Sequence, residues 1–441
     1  MDRFAALGHE DVGKGEHRTA MTTHRFQQEI ESIAAQPAAR SVHSERKRAA
    51  LVLPGLGAGG AERIVNIIAE LLDERGWEMS VISFDKAESE SYYRYPAGVE
   101  LIRLDLPPAR QSVPARSIAA IRRAVRLRKA LDKAAPDVVV SFLTRTNILA
   151  LIAGLRRRTP TIVSERNNPQ KQSVGPLWSW LRARLYPRAF GLVTMTQGAM
   201  DCFPPAMRRR QWVIPNPVLC FERGDTPAAK TKWITAVGRL VPQKGFDLLL
   251  HAFAALAGEF PEWNLVIWGT GPERSKLEDM TSRLGLHARV RFAGVSERPG
   301  GWVENADIFV MSSRYEGWGN ALAEALAAGI PSISFDCNWG PGELIQQSVN
   351  GLLVPPEDVD ALTGKMRELM HDPELRRRLG SNARSIADSF SAAHVVDAWE
   401  KVMVEALNNR TAPAVRRGTG ARGKHCEIRC ESMHFLAADA H

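Results

Sequence analysis

Ala49-Ala50-Leu51-Val52-Leu53-Pro54-Gly55-Leu56-Gly57-Ala58-Gly59-Gly60-Ala61-Glu62 decides how the chain folds. Five apolar residues make a short buried strand, and a glycine-rich loop leads it into a helix expected over residues 61–75. A backbone without Cβ atoms at that turn lets a phosphate approach the helix start. As a dinucleotide fingerprint the loop is incomplete. Gly57 and Gly59 fit, but Glu62 stands at the third glycine position, and Asp85 follows the next strand where a ribose-binding acid would lie. A plain tight turn accounts for this segment equally well.

From here strand and helix alternate. Strands are expected at 79–84, 99–104, 137–142, 161–164 and 191–196, with a basic amphipathic helix over 117–133. Val213-Ile214-Pro215-Asn216-Pro217 then reads as a hinge, and the pattern restarts with strands at 232–237, 264–268, 289–292, 307–311 and 331–335. The expected fold class is therefore α/β, with two doubly wound Rossmann-like domains facing across a cleft. The first is expected over 46–219 and the second over 220–390. A helix over 391–409 crosses back to the first, and a flexible leader (1–45) and tail (410–441) flank the whole.

The 441 residues are 44% hydrophobic and 24% charged, an ordinary globular balance with room for two cores. No apolar run of about 18 residues occurs, so no spanning helix is expected, and the N-terminus has no apolar signal core, which points to a cytoplasmic start. Met21 is an alternative start. Cys202, Cys220, Cys337, Cys426 and Cys430 are scattered and odd in number, against a disulfide framework. Cys426 and Cys430 lie near His425 and His434, but the spacing matches no usual zinc pattern, so no metal site is expected. Residues 45–219 hold 28 lysines and arginines against 15 acidic residues, and residues 220–390 hold 18 against 22. The basic excess in the first half suits an anionic membrane face, a phosphate-bearing substrate or a solvated helix surface.

The chemistry concentrates in the second half. Arg314-Tyr315-Glu316-Gly317-Trp318-Gly319-Asn320-Ala321-Leu322-Ala323-Glu324 sets one carboxylate on a loop and another about a turn into a helix. Free N–H groups at that helix start suit a phosphate, and the carboxylates suit hydroxyls, a combination fitting a sugar nucleotide. Gly238-Arg239-Leu240-Val241-Pro242-Gln243-Lys244-Gly245 puts two cations on a glycine-bounded loop, a grip for a diphosphate. Trp268-Gly269-Thr270-Gly271-Pro272 follows a strand and fits a base pocket or a turn with a core Trp equally well, and Arg291-Phe292-Ala293-Gly294-Val295 ends another strand and could offer backbone groups to a base edge.

These segments, with Asn350-Gly351-Leu352-Leu353-Val354-Pro355, occur in the order seen in retaining glycosyltransferases of the GT-B type, and the chain resembles family 4 of that group from about Ala49 to Leu407. The resemblance implies a UDP-sugar donor, a glycan acceptor and no bound metal. It implies that Glu316 contacts the donor sugar, that Arg239 and Lys244 hold the diphosphate as it leaves, and that Glu324 binds the ribose. Gly317, Trp318, Gly319, Asn320, Ala321 and Leu322 would present backbone N–H groups, Gly269 and Val295 would line the base pocket, and Gly59 and Gly60 would meet the donor from the opposite domain. Asp358-Val359-Asp360, the one Asp-x-Asp, opens a helix and reads as a cap. Some members of the family carry a first-domain His near the reacting carbon, but Ser141-Phe142-Leu143-Thr144-Arg145-Thr146-Asn147 has none. Asn147, Arg166 and Asn167 stand as acceptor-side candidates. Asp336-Cys337-Asn338-Trp339-Gly340-Pro341-Gly342-Glu343 resembles the subgroup acting on lipid-linked oligosaccharides, often with N-acetylgalactosamine.

On the acceptor side, Leu177-Trp178-Ser179-Trp180-Leu181-Arg182-Ala183-Arg184-Leu185-Tyr186 could sink Trp178 and Leu181 into a bilayer surface while Arg182 and Arg184 meet lipid phosphates, placing the chain on the cytoplasmic face of the inner membrane. Ile118, Ile121 and Val125 of the basic helix are expected to face the core. Two other functions compete. A nicotinamide-dependent oxidoreductase would use Gly57–Gly59 but leaves Arg239, Lys244 and the glutamate pair unexplained. A non-catalytic nucleic-acid binder fits the charge but shows no recognition module.

Overall fold

The computed structural model describes residues 46–106, 113–171, 174–222 and 232–411. The described residues from Lys47 onward form one compact unit. The expectations for the leader and for Cys426 and Cys430 lie outside the described residues.

The first half runs β1 (Arg48–Leu53), α1 (Gly60–Glu74), β2 (Glu78–Ser83), β3 (Glu100–Arg103), α2 (Val113–Ala134), β4 (Val138–Phe142), α3 (Thr144–Ala153), β5 (Thr161–Ser164), α4 (Pro176–Leu185), β6 (Gly191–Thr194), α5 (Gln197–Asp201) and β7 (Gln211–Val213). The second runs β8 (Lys232–Val237), α6 (Phe246–Ala254), β9 (Trp263–Trp268), α7 (Arg274–Arg283), β10 (Val290–Gly294), β11 (Ile308–Met311), α8 (Asn320–Ala327), β12 (Ser332–Phe335), α9 (Pro341–Leu344), β13 (Leu352–Val354), α10 (Val359–His371), α11 (Pro373–Ala383), α12 (Ile386–Ser389) and α13 (Ala392–Thr411).

The strands form two parallel sheets, ordered β3-β2-β1-β4-β5-β6-β7 and β10-β9-β8-β11-β12-β13. Leu51 stands beside Val81 of β2 on one side and Val140 of β4 on the other. The order reverses at β1/β4 and again at β8/β11, so loops leaving the carboxyl ends of these strands splay apart and leave the crevice where such folds bind ligands. Both sheets are apolar on both faces because helices cover both. The α1 stripe of Ile64, Val65, Ile68 and Leu72 packs with Leu51, Leu53 and Val140. Helix α13 follows the second sheet in sequence but completes the first core. Val396, Trp399 and Met403 are buried there, with the Trp399 ring 5.7 Å from that of Phe142.

Three readings of the sequence change. The expected hinge starts at Val213, but that residue closes β7, a three-residue strand too short and too exposed to show an apolar run. The Leu352-Leu353-Val354 motif proves to be β13, the edge of the second sheet. Ile118, Ile121 and Val125 do not face the core; they are 60%, 65% and 50% exposed. Helix α2 has two apolar stripes, and the one that packs inward carries Ala124, Leu127, Ala130 and Leu131.

Candidate active site

The second-half loops that follow β8, β9 and β10 are tied to one another by backbone. Gly238 N–H donates to the Trp268 carbonyl and Leu240 N–H to the Thr270 carbonyl, each at 2.9 Å, and Gly269 N–H donates to the Gly294 carbonyl at 2.7 Å. Gly269 sits at φ +135°, and a Cβ there would lie 1.9 Å from the Gly238 oxygen, so only glycine lets these loops touch. Arg239 projects from this platform and is exposed. Lys244 folds its aliphatic stem over Gly238 and points its Nζ at Glu316, 2.5 Å from Oε1. Ser313 Oγ donates to the same oxygen at 2.6 Å. The Glu316 carboxylate and the Lys244 ammonium are thus one part-buried, charge-assisted pair. The Cys337 thiol lies nearby, and burial pushes it up to about 12.

Gly317 and Gly319 bring the chain from β11 into α8. Gly319 stands before the helix at φ +98° and offers no side-chain cap, so the first N–H groups of α8 have no partner within the helix. Trp318 and Leu322 are core side chains, 2% and 0% exposed, and can offer a ligand only their backbone. Asp358, by contrast, is a helix cap, its Oδ1 accepting from Ala361 N–H at 2.8 Å.

The first half closes on this wall at several points. A Cβ on Gly60 would lie 2.3 Å from Asn320 Nδ2, and one on Gly317 would meet the Arg166 carbonyl at 2.9 Å. Asn216 Nδ2 donates to Asn320 Oδ1 at 2.7 Å. Tyr92 Oη donates to the Ser296 carbonyl at 2.9 Å, beside the half-exposed Val295. Arg63 Nη1 donates to Glu324 Oε1 at 2.7 Å. Burial pushes the Glu324 carboxyl up, and the Arg63 guanidinium pulls against it. Burial likewise raises the Glu62 carboxyl, with Arg239 opposing across the gap. Gly59 is held against the Glu62 side chain, where a Cβ would lie 2.0 Å from Oε2.

The acceptor-side candidates separate. Asn147 is wholly buried, and its Nδ2 donates to the Ser164 carbonyl and Tyr186 Oη. Arg166 is 6% exposed; it donates to Ser164 Oγ, the Ile214 carbonyl and Asn216 Oδ1, and lies 5.1 Å over the Trp399 ring. Burial draws its guanidinium down to about 9. Both correct the sequence reading. Both side chains serve the interior: Asn147, within α3, ties that helix to β5 and Tyr186, and Arg166 ties the end of β5 to the hinge and α13. Asn167 is only partly covered and lies against Gly317. Asp85 corrects the dinucleotide reading too, since its Oδ2 accepts from Leu56 N–H and Ser83 Oγ and ties the glycine loop.

Arg63, Asn216, Tyr92 and Ser313 escaped the sequence reading. Arg63 left one signal, a cation next to the glycine loop in the first turn of α1.

Residues 59–217 match the family described as "Glycosyl transferase 4-like domain", and residues 222–386 match "Glycosyl transferases group 1". The chain belongs to the GT-B glycosyltransferases, in the family 4-like group. Among curated relatives of this glycosyltransferase is the GalNAc-alpha-(1->4)-GalNAc-alpha-(1->3)-diNAcBac-PP-undecaprenol alpha-1,4-N-acetyl-D-galactosaminyltransferase of Campylobacter jejuni, 29% identical over 81% of this chain and 98% of that protein. It is also similar to an exopolysaccharide phosphotransferase of Streptomyces coelicolor, at 30% identity over 66% of the chain, but spans only 31% of that protein's length. The Anabaena HepE structure in complex with UDP and glucose shares its fold, with a TM-score of 0.65 at 19% identity, covering 82% of this chain and all of that one. The family sets aside the oxidoreductase and nucleic-acid readings.

Proposed function

We propose that this glycosyltransferase moves an N-acetylhexosamine or hexose from a UDP-sugar to a glycan carried on a polyprenyl pyrophosphate, with retention of configuration and without a metal. In this reading it works on the cytoplasmic face of a membrane, in surface polysaccharide or glycoconjugate synthesis. The observation that carries the reading is the convergence of Lys244 with Glu316, beside Arg239 and the open start of α8. The Campylobacter relative supports the acceptor class, since its name describes an N-acetylgalactosaminyl transfer onto an undecaprenyl-pyrophosphate glycan. The Anabaena complex, which holds UDP and glucose in the same fold, supports the donor class.

The chemistry then runs as follows. The bond from the anomeric carbon to the diphosphate oxygen breaks, and its electron pair leaves with the UDP. Arg239, Lys244 and the α8 N–H groups stabilise that charge without reorganising. The acceptor hydroxyl enters from the face that the diphosphate is leaving, and its proton passes to the departing phosphate oxygen. UDP-N-acetylhexosamines are α-linked, so the α product named for the Campylobacter relative corresponds to retention.

Attachment to a membrane is favoured by the face over α2 and α4. A groove of about 330 Å3 there is lined by Ile121, Val125, Leu149, Leu177, Trp178 and Leu181. Arg184 stacks 5.5 Å over Trp180 at its rim. No described helix is long and apolar enough to cross a membrane, so attachment would be to a surface.

Calorimetry with UDP-N-acetylgalactosamine, UDP-N-acetylglucosamine, UDP-glucose, GDP-mannose and NAD tests the donor, followed by turnover on a lipid-pyrophosphate glycan before and after EDTA. Binding of one UDP-sugar and EDTA-insensitive turnover are expected. Binding of NAD alone, or loss of turnover on chelation, would overturn the donor or the metal-free part respectively.

A further inference from the structure

Arg63 is a first-half residue lodged within the second half's nucleotide wall. Its Nη1 is engaged by Glu324, its guanidinium lies 4.9 Å over the Phe221 ring, and its Nη2 is buried with no hydrogen-bond partner. The side chains of Arg63 and Glu324 are each only 11% exposed. A guanidinium is a fork of fixed geometry, so the unsatisfied Nη2 stands beside the same carboxylate that Nη1 grips. A buried cationic N–H without an acceptor is costly, and a ligand that supplies the acceptor recovers that cost.

A hydroxyl has one hydrogen to give and two lone pairs to fill, whereas an ionised carboxylate can only accept. Glu324 can therefore take the hydrogen of a ribose hydroxyl but leaves its lone pairs unmatched. A donor beside the carboxylate completes the hydroxyl. We propose that Arg63 binds the donor nucleotide from the opposite half, its Nη2 donating to a ribose hydroxyl whose hydrogen Glu324 accepts. This rests on the UDP-sugar reading above and deepens it. The ribose would bridge the two halves, so occupancy of the nucleotide site and closure of the halves become one event. Phe221 beneath the guanidinium holds its plane, which a lysine ammonium could not reproduce.

A pure latch would have the opposite consequence. If Arg63 only paired with Glu324, removing it would free the carboxylate and leave nucleotide affinity unchanged or improved.

The test is calorimetry of UDP, 2′-deoxy-UDP and 3′-deoxy-UDP on the full chain, with Arg63→Gln and Arg63→Lys variants checked by thermal melting. The wild type should bind at least one deoxy analogue more weakly than UDP by roughly tenfold or more. Both variants should bind UDP more weakly by a similar factor and lose most of that discrimination. UDP affinity equal to wild type in Arg63→Gln, or an equal loss for UDP and both analogues, overturns the proposal while leaving the donor assignment standing. A wild type that binds no uridine nucleotide overturns the donor reading itself and this inference with it.

Discussion

The two halves share a strand order and differ in what they turn outward. In each sheet the first strand lies between the second and the fourth of its half. Yet of the nine large hydrophobic side chains exposed among the described residues, Ile118, Ile121, Val125, Leu155, Leu177 and Trp180 belong to one region of the first half, while β8–α12 shows only Val295 and Val349. Charge follows the same division, with 16 lysines and arginines against three acidic residues over 113–188. The second half balances its cations, 18 against 22 acidic residues over 220–390, whereas the first sets an unbalanced basic excess on α2 and α4. A doubly wound sheet fixes where its loops converge but leaves the outer helix faces free to take on another task. On the proposed reading, one half serves a small anionic ligand and the other an extended anionic surface.

That division can be broken by substitution. The largest expected effect lies in the second half. Lys244→Ala and Glu316→Ala should each lower kcat by about two to three orders of magnitude, because on the proposed reading each removes a group that acts at the breaking bond. Vesicle binding should not change. Steady-state rates beside flotation measure both, and near-normal rates in both variants would sink the role assignment. Next comes the first-half face. Ile121→Glu combined with Trp180→Glu should weaken binding to anionic vesicles by about tenfold or more, since it sets charge against hydrocarbon. Turnover on a soluble acceptor should stay near wild type. Flotation at low and high salt reads this, and unchanged binding would assign the face to solvent.

Two smaller effects sharpen the boundary between the halves. Arg166→Ala should destabilise the fold by about 2–4 kcal/mol, through lost packing on Trp399 and unpaired Ser164 and Asn216. A melting temperature several degrees lower, with kcat on a soluble acceptor down by no more than about tenfold, would mark a structural lock. A large kcat loss without destabilisation would restore the acceptor role. Gly60→Ala sets a methyl against Asn320 Nδ2, the movable end of a side chain, so the donor KM should rise only a few-fold, about threefold. An unchanged KM would mean that the two walls part during turnover.

Much of this was legible from local pattern. Strand and helix alternation, the proline hinge and the second half's strand-end loops were all readable, because burial periodicity and glycine or proline chemistry act over a few residues. The pairing of Lys244 with Glu316 was half legible: both residues stood out, but the 2.5 Å contact did not. Arg63 and Glu324 were separated by 261 positions, so nothing nearby in sequence marked either as the other's partner. Asn147 and Arg166 were misread for the converse reason, since a polar residue just past a strand looks the same whether it faces a ligand or the interior.

The sequence by itself determined the two sheets except for their edge strands β7 and β13, their order along the chain and the chemical inventory of the candidate site, since those follow from hydrophobic period, turn residues and charge within short windows. Only the tertiary structure decided which apolar stripe of α2 is buried, that α13 completes the first core, and that Arg63 and Asn216 reach across to Glu324 and Asn320. These depend on how distant segments pack against one another. A residue's own neighbours carry no record of that packing, which the summed burial of both cores fixes.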